Sequence, residues 1–454
     1  MPHVLRPVVA SIAVLLAAAA PAHAADWPQG FSKCADERGV CKVGATARKV
    51  SYGARDQWVV KTLKGDIACT NETFGRDPLV GKRKKCALGP VDTAPTEPPT
   101  QPNAALEAAP DDGWAGAIAP GGTTTGGGKA TAQHIFIVSS ASQLRGALEQ
   151  SKGQAALIKV HGRIDMAAAD NGGAFRSPED QKARGSIALG SNQTLIGLGA
   201  DATIVNGSIR IRRVDNVIVR NLNIVNPCDI APEQAGDGSW DARYDGIDVD
   251  GATRVWIDHN RFGDAAGDKA KHCHDGALDI KNASDFVTVS FNVFENHDKN
   301  TLVGHDDDAS GDEGHLRVSF HHNRWKDVVQ RAPRVRYGRV HVWNNWFEGD
   351  RKHADYPHAY SIGVGHKAKV ISEANAFDIR GAQRCGEIAK APAARAGAFT
   401  DRGSQLNGAA LQPAQCGLSE AVGWTVPYAY AASDAATARA RVLVQAGTGR
   451  LSVR

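Results

Sequence analysis

The sequence predicts an all-β protein: a right-handed parallel β-helix preceded by a small Cys-rich N-terminal domain. The first observation is a recurring pattern, Val-x-apolar-x-x-Asn-x-aromatic. It reads Val255-Trp-Ile-Asp-His-Asn260-Arg-Phe262, then Val287 to Asn292 and Phe294, Val318 to Asn323 and Trp325, and Val340 to Asn345 and Phe347. Val370 to Asn375 and Phe377 is a looser copy, and Val217 to Ile224 is a relative with Leu222 at the asparagine position. The second observation is period. The copies start 32, 31, 22 and 30 residues apart from Val255 onward, which marks a solenoid. The third is composition. The units are short and β-branched, without heptads or long amphipathic stretches, so helical repeats are excluded. A β-sandwich would need hairpin signals such as Asn-Gly between strands, and these are scarce. The shortest spacing is the bare coil, and longer spacings put insertions in loops. Asparagine suits a tight turn because it tolerates left-handed backbone, and stacked asparagines can bond one another up a column.

The elements follow in chain order. Residues 1–24 read as a secretory signal peptide, with Arg6 in a positive n-region, an apolar Val8–Ala20 stretch broken by Ser11, and Ala22-His-Ala24 as a small-x-small cleavage site. The run is too short for a stable membrane anchor. The expected protein is secreted, with no membrane partner. Residues 25–88 carry Cys34, Cys41, Cys69 and Cys86 with several aromatic residues, enough for a small disulfide-stapled module. Residues 89–113 are rich in proline and threonine and cannot bury a core, so they read as an extended linker. The main domain spans 114–454. Its 121–128 stretch, Gly-Gly-Thr-Thr-Thr-Gly-Gly-Gly, reads as a loop. The 141–151 segment predicts an amphipathic helix, capped by Ser140 or Ser142, that covers the open apolar end of the solenoid. A further helix is predicted over 432–446, within an alanine-rich tail that packs back along the coils.

Cysteine and charge content narrow the function classes. Eight cysteines, an even count in an exported chain, group as four, two and two, and pairing is expected within each group. No CxxC occurs, which argues against a zinc site. The formal charge of +4 falls to +3 without Arg6, and no basic run with interleaved aromatics exists, so nucleic acid is not an expected partner.

The densest chemistry is Gln330-Arg331-Ala-Pro333-Arg334-Val-Arg336. Alternation along a strand puts Arg334 and Arg336 on one face and Arg331 on the other, unless the proline brings Arg331 round. Asp245, Asp275 and Asp279 lie upstream beside strand-like segments. The even offset between Asp275 and Asp279 would put both on one face of a strand. Fixed cations beside fixed carboxylates fit an anionic substrate bridged by a metal. They also fit a surface ion-pair network.

Four pieces, in order and spacing, resemble the secreted bacterial pectate lyases of polysaccharide lyase family 1: Asp245 to His259, Asp275 to Lys281, His297-Asp-Lys299, and Gln330 to Arg336. The resemblance covers about residues 114–385 well. It implies a right-handed parallel β-helix and calcium-dependent β-elimination of polygalacturonate to 4,5-unsaturated oligogalacturonates. It implies Asp245, Asp275 and Asp279 as calcium ligands, Arg331 as the catalytic residue, and Lys299, Arg336 and Lys281 as substrate-binding cations. Such chemistry needs a neutralised carboxylate, because the proton removed is α to it, and Ca²⁺ is a hard cation that takes several oxygens. Arginine is an awkward base because it ordinarily stays protonated. Desolvation and neighbouring cations disfavour its charged form. In a second reading Arg331 only stabilises the carbanion. Some members carry an extra ligand two residues before the first aspartate. This chain has Arg243 there, with Asp241 as a substitute.

Trp256, Asp258, His259, His321, His322 and His341 are expected to pack or bond within the coil. Asp306-Asp-Asp308 with Asp312 and Glu313 reads as a solvated acidic loop or a second calcium site. The N-terminal module resembles small modules appended to secreted carbohydrate enzymes, which implies polysaccharide binding through exposed aromatics. Alternatively, its aromatics form its core. The expected partner is pectin and the expected state a monomer. The rivals are a pectin lyase acting on methyl-esterified chains, a β-helical hydrolase with paired carboxylates, and a non-catalytic pectin-binding β-helix.

Overall fold

The computed structural model describes residues 26–28, 31–44, 48–55, 57–89, 110–234, 236, 240–265 and 271–451. The predicted signal peptide and almost all of the predicted linker lie outside the described residues. The chain divides into two compact units, 1–100 and 101–454.

In the first unit, Ser32–Asp36, Lys85–Leu88, Arg48–Ala54 and Gln57–Leu63 form an antiparallel sheet in that order. Disulfides Cys34–Cys41 and Cys69–Cys86 staple it. Tyr52 and Phe74 stack at 4.9 Å in its core. Trp27, Phe31 and Trp58 are half-buried. The aromatics therefore divide between a core pair and residues that reach the surface.

The second unit is a parallel β-helix. Its first face is an eight-stranded sheet: Ser186–Leu189, Ser208–Arg212, Ile247–Asp250, Leu278–Lys281, Thr301–Val303, Arg334–Val335, Ile362–Val364 and Ala389–Lys390. The second face includes Asp215–Arg220, Thr253–Asp258, Asp285–Ser290, Arg317–His321, Arg339–Trp343, Lys369–Glu373 and Ala398–Arg402. The third includes Arg261–Gly263, Val293–Lys299, Arg324–Gln330, Trp346–Asp350 and Ala376–Arg380. The repeat positions coincide in register, with Val255, Val287, Val318, Val340 and Val370 on successive rungs. Alternate residues point inward, so Val287, Val289, Val318, Phe320, Val340 and Val342 are fully buried. That burial is the main stabilising term.

The asparagine column forms. Nδ2 of Asn260, Asn292, Asn323 and Asn345 each donates at 3.0 Å to Oδ1 of the next asparagine, ending at Asn375. The same Oδ1 atoms accept the backbone N–H of the preceding coil. Leu222 joins only through its backbone N–H, which donates to Asn260 Oδ1. Two residues on, Phe262, Phe294, Trp325, Phe347 and Phe377 stack with centroids 4.5–5.3 Å apart. One expectation is corrected. The left-handed backbone belongs to the residue before each ladder asparagine: His259, Phe291, His322, Asn344 and Ala374. The asparagine holds the corner by its side chain while its neighbour makes the bend. Phe291 keeps this unusual φ with its ring stacked between His259 and His322.

The cap helix runs Ala141–Gln150, with Ser140 Oγ accepting from Gln143 N, and buries Leu144 against the end of the core. The C-terminal helix, Ala435–Gln445, is shorter than predicted because Asp434 caps it. It packs Val442 against Val293 outside the third face. A helix at Pro178–Gly185, capped by Ser177, was not anticipated. Disulfides Cys228–Cys273 and Cys385–Cys416 complete the expected grouping.

Asn323→Ala leaves the Asn292 backbone N–H without its acceptor and removes the side-chain bonds to Asn292 Nδ2, the Val289 carbonyl and Asn345 Oδ1, all in a dry interior. With about 1–3 kcal/mol per unsatisfied group, a loss of roughly 3–5 kcal/mol is expected in equilibrium unfolding. A loss below about 1 kcal/mol would show that the ladder is incidental.

Candidate active site

The coil register brings the predicted site residues together on and beside the first face. Gly246 N donates to Gly276 O, Ala277 N to Asn300 O, Thr301 N to Arg331 O and Ala332 N to Ser361 O. Asp245, Asp275, Lys299 and Arg331 therefore flank the same corner in successive coils, although up to 86 residues separate them in sequence. A parallel ladder sets neighbouring rungs about 4.8 Å apart. Asp279 belongs to the strand that follows and points outward, level with Asp248, Leu302 and Arg334 on neighbouring rungs. Asp275 is not on a strand: it precedes Leu278–Lys281 by a turn. Strand parity therefore does not set its direction, contrary to the expectation, and the corner does.

The carboxylates form a strained group. Asp245 and Asp279 are almost completely buried. A Cβ on Gly276 would lie 2.5 Å from Asp279 Oδ1 and 2.9 Å from Asp245 Oδ1, so these oxygens lean over a bare glycine. Burial first, then Asp279 and Asp275, raises Asp245 well above the usual carboxylate range. Burial also raises Asp275, with Lys299 and Arg331 opposing. Asp279 is raised to about 7, again by burial first. Among the described residues, no three carboxylate, imidazole or thiolate groups converge as a ready-made metal centre. Lys281 Nζ lies 3.5 Å from Asp245 and 3.1 Å from Asp248. The cluster thus has one internal cation for several buried acids. Oxygen-only donors with excess negative charge fit a hard divalent cation such as Ca²⁺.

The cations differ in how they are held. Lys299 Nζ donates to Trp240 O at 2.6 Å, and its charge acts on Asp275. Arg331 has a left-handed φ of 61°, and its buried Nε has no hydrogen-bond partner among the described residues. Its charge opposes the rise of the Asp275 and Asp279 carboxyls. Arg336 is already engaged: Nε donates to Asp307 Oδ1 at 2.6 Å and Nη1 to Gly304 O at 3.1 Å. Arg334 and Arg336 do share the outward face. Arg243 turns to buried Asp229, donating through Nε at 2.8 Å. Asp241 is the acid that acts on Asp275.

Three further groups differ from, or add to, the sequence reading. The acidic loop is solvated at Asp306, Asp308 and Glu313, which are exposed, with Asp308 beside Arg395 and Glu313 beside Lys367, whereas Asp307 pairs with Arg336 and buried Asp312 accepts from Ala283 N. Asp258 is a hub within the coil, accepting from Arg220, His259 and Ser290. His297 lies in the third motif, where the sequence assigns it no role. Its Nδ1 lies 2.7 Å from Asp264 Oδ1 and its Nε2 2.7 Å from the Asp275 carbonyl. Burial opposes its charge, but Asp264 more than compensates and raises its pKa. His297 thereby ties down the backbone of Asp275. Asp264, 33 residues upstream in another loop, carried no sequence signal for this.

Comparison with known proteins gives the family of this chain. The sequence model of the family described as pectate lyase matches residues 100–451. Pectate lyase E of Dickeya chrysanthemi is 38% identical over 402 residues, spanning 84% of this chain and 98% of that protein. The pectate lyase of Bacillus subtilis (strain 168) is 34% identical over 397 residues, spanning 75% and 93%. A solved pectate lyase bound to hexasaccharide superposes with a TM-score of 0.69 at 31% identity, over 75% of this chain and 97% of that one. A pectate lyase structure from Acidovorax avenae subsp. citrulli gives 0.67 at 26% identity, over 80% and 99%.

The acid cluster makes a prediction for the cation-free protein. Asp279 titrates higher folded, at about 7, than the roughly 3.9 of an unfolded chain. The folded state then holds the extra proton between those values, so stability falls as pH rises from about 4 to about 7. Thermal unfolding in chelator should show this decline, and Asp279→Asn should flatten it.

Proposed function

The chain belongs to the pectate lyase family and is an enzyme of that class; on that premise we propose that it is a secreted lyase that cleaves polygalacturonate by calcium-dependent β-elimination. The observation that carries the reading is the pair of buried carboxylates, Asp245 and Asp279, leaning over Gly276, with Asp275 and the charge of Arg331 acting on Asp279. No described helix is long and apolar enough to cross a membrane.

Asp245, Asp275 and Asp279 would hold Ca²⁺, which supplies charge neutralisation at a substrate carboxylate. Lys299 and Arg336 orient the uronate carboxylates, Arg336 through its fork and Lys299 as a point charge. To do so, Arg336 must share its guanidinium with Asp307 and Lys299 must leave the Trp240 carbonyl. Arg331, in its neutral form, takes the C5 proton and becomes the guanidinium. The electron pair of the C5–H bond becomes the C4–C5 double bond as the C4–O bond breaks, and water protonates the leaving oxygen. Lys281, expected to bind substrate, contacts Asp245 and Asp248, so it also balances the acid cluster.

Polygalacturonate incubated with the protein should gain the ultraviolet absorbance of unsaturated product, and chelator should abolish it. Absorbance indifferent to chelator and higher on methylated pectin would identify a pectin lyase. Reducing ends without absorbance would identify a hydrolase, and binding without either a non-catalytic β-helix protein. Arg331→Ala should lower kcat by at least about 100-fold, and near-wild-type activity would remove Arg331 from the mechanism. Asp279→Asn should raise the calcium concentration for half-maximal rate by tenfold or more. A calcium-induced rise in melting temperature, present in wild type and weakened in the variant, gives a second readout.

A further inference from the structure

We propose that a cavity of about 510 Å³ beside the second face binds a neutral sugar, as a carbohydrate site separate from the acid cluster. The proposal stands on this cavity and does not depend on the lyase reading. Chain order fixes its place. Each coil runs from the first face to the second, then to the third and back to the first. The acid cluster sits where the third face meets the first. The cavity sits where the second meets the third, on the outer side of the ladder corner. Its floor comes from successive coils in register: Arg220 pairs with Asp258, Asp258 with Ser290, and Ser290 with His321. Its rim comes from both ends of the domain, Asp111 and Asp112 before the first coil, and Tyr430 and Arg441 after the last.

The bend residues of the ladder corner build one wall. His259, Phe291 and His322 take left-handed φ values of 53°, 51° and 54°, and their rings stack outside the coil with centroids 4.9 and 4.6 Å apart. Residues other than glycine rarely hold this backbone, so the column carries strain in order to place rings here. Buried Asp258 orients the first ring. It accepts from His259 Nδ1 at 2.6 Å, and Arg220 and Ser290 also donate to it. An ionised carboxylate only accepts, so Nδ1 carries the proton of that bond. His259 Nε2 has no partner among the described residues and is free to bond a ligand. His322 Nε2, buried in the same wall, also lacks a partner among them.

The charges around the cavity select the class of ligand. Arg441 lies over the Phe291 ring, 5.3 Å from its centre, and its Nε donates to Gln445 Oε1 at 2.9 Å. Asp112 and Asp111 act on its charge without pairing to it. Arg220 is committed to Asp258. An incoming uronate would therefore meet two aspartates for one uncommitted guanidinium, which disfavours an anion. A ligand cation is disfavoured too, because Arg441 already holds the place over the aromatic face. The arrangement suits a neutral ligand whose groups both donate and accept, as sugar hydroxyls do. Arg441 donates to them. Asp111 accepts, as does Asp112, whose Oδ1 alone lies against His321 Nε2, at 3.1 Å. Tyr430, its hydroxyl donating to Glu373 at 2.6 Å, offers a fixed ring to the C–H face of a sugar. The volume falls in the range of about 300–1,000 Å³ that small-ligand sites occupy.

Calorimetric titration of the full chain in chelator with galactotetraose, arabinotetraose and trigalacturonate tests this. At least one of the two neutral oligosaccharides should bind saturably. Arg441→Ala and Asp111→Asn, both at exposed positions, should each weaken that binding about tenfold, as expected for one hydrogen bond to a charged group. The rate on polygalacturonate with calcium should stay within about twofold of wild type in both variants, because the two sites share no residue. Unfolding curves identify a variant that is merely destabilised, and the other variant then decides. Absence of saturable binding by either neutral oligosaccharide would overturn the site, as would neutral binding unchanged in both variants. Trigalacturonate binding abolished by Arg441→Ala would overturn the neutral class of ligand. A rate on polygalacturonate that falls in step with neutral binding would place the cavity in the catalytic site and overturn its independence. A protein that binds the neutral oligosaccharide through Arg441 but yields no unsaturated product would overturn the lyase reading and leave this site standing.

Discussion

Parallel register between coils is the constraint on which everything else depends. Each coil must close its corners at the same height as the last, or the backbone groups of two rungs go unpaired in a dry interior. The asparagine ladder enforces this at one corner, because each side chain serves the backbone of the neighbouring coil as well as the next asparagine. The stacked aromatic column behind it adds a packing term that is sensitive to slippage. A one-residue slip would turn inward valines outward and break both columns.

The same register builds the site. Asp245, Asp275, Lys299 and Arg331 are remote in sequence and adjacent in space only because their coils align. The aspartates sit at corners or on outward strand positions, where the fold has no apolar use for them. Burial raises the acids' pKa values and makes the cluster receptive to a cation. Lys281 balances part of the charge, so the cluster is tolerated without being fully neutralised.

Cations on the outer face fall into two electrostatic groups. Arg210, Arg212 and Arg336 have carboxylate partners. Arg331 and Arg334 both carry an unpartnered buried Nε. Matched pairs of this kind contribute little and fix geometry, whereas unmatched cations raise the free energy of the ligand-free protein and favour an anionic ligand.

The sequence by itself determined the periodic part of this protein. The β-helix, the ladder from Asn260 to Asn375, the cap helix and the cysteine grouping were legible because each depends on local residue type repeated at intervals. The kinds of side chain at the site were legible too, through four ordered motifs. Tertiary structure alone decided which charges meet. Nothing local told that Arg336 faces Asp307, that Arg243 turns to Asp229, that Lys281 balances Asp245 and Asp248, or that Asp264 reaches His297. It also decided that the left-handed bend falls one residue before each asparagine, and that Asp275 sits in a corner off the strand. The physical reason is common to all of these. A charge's partner and its burial are set by neighbouring coils, at sequence distances that insertions make irregular, and no local pattern encodes them.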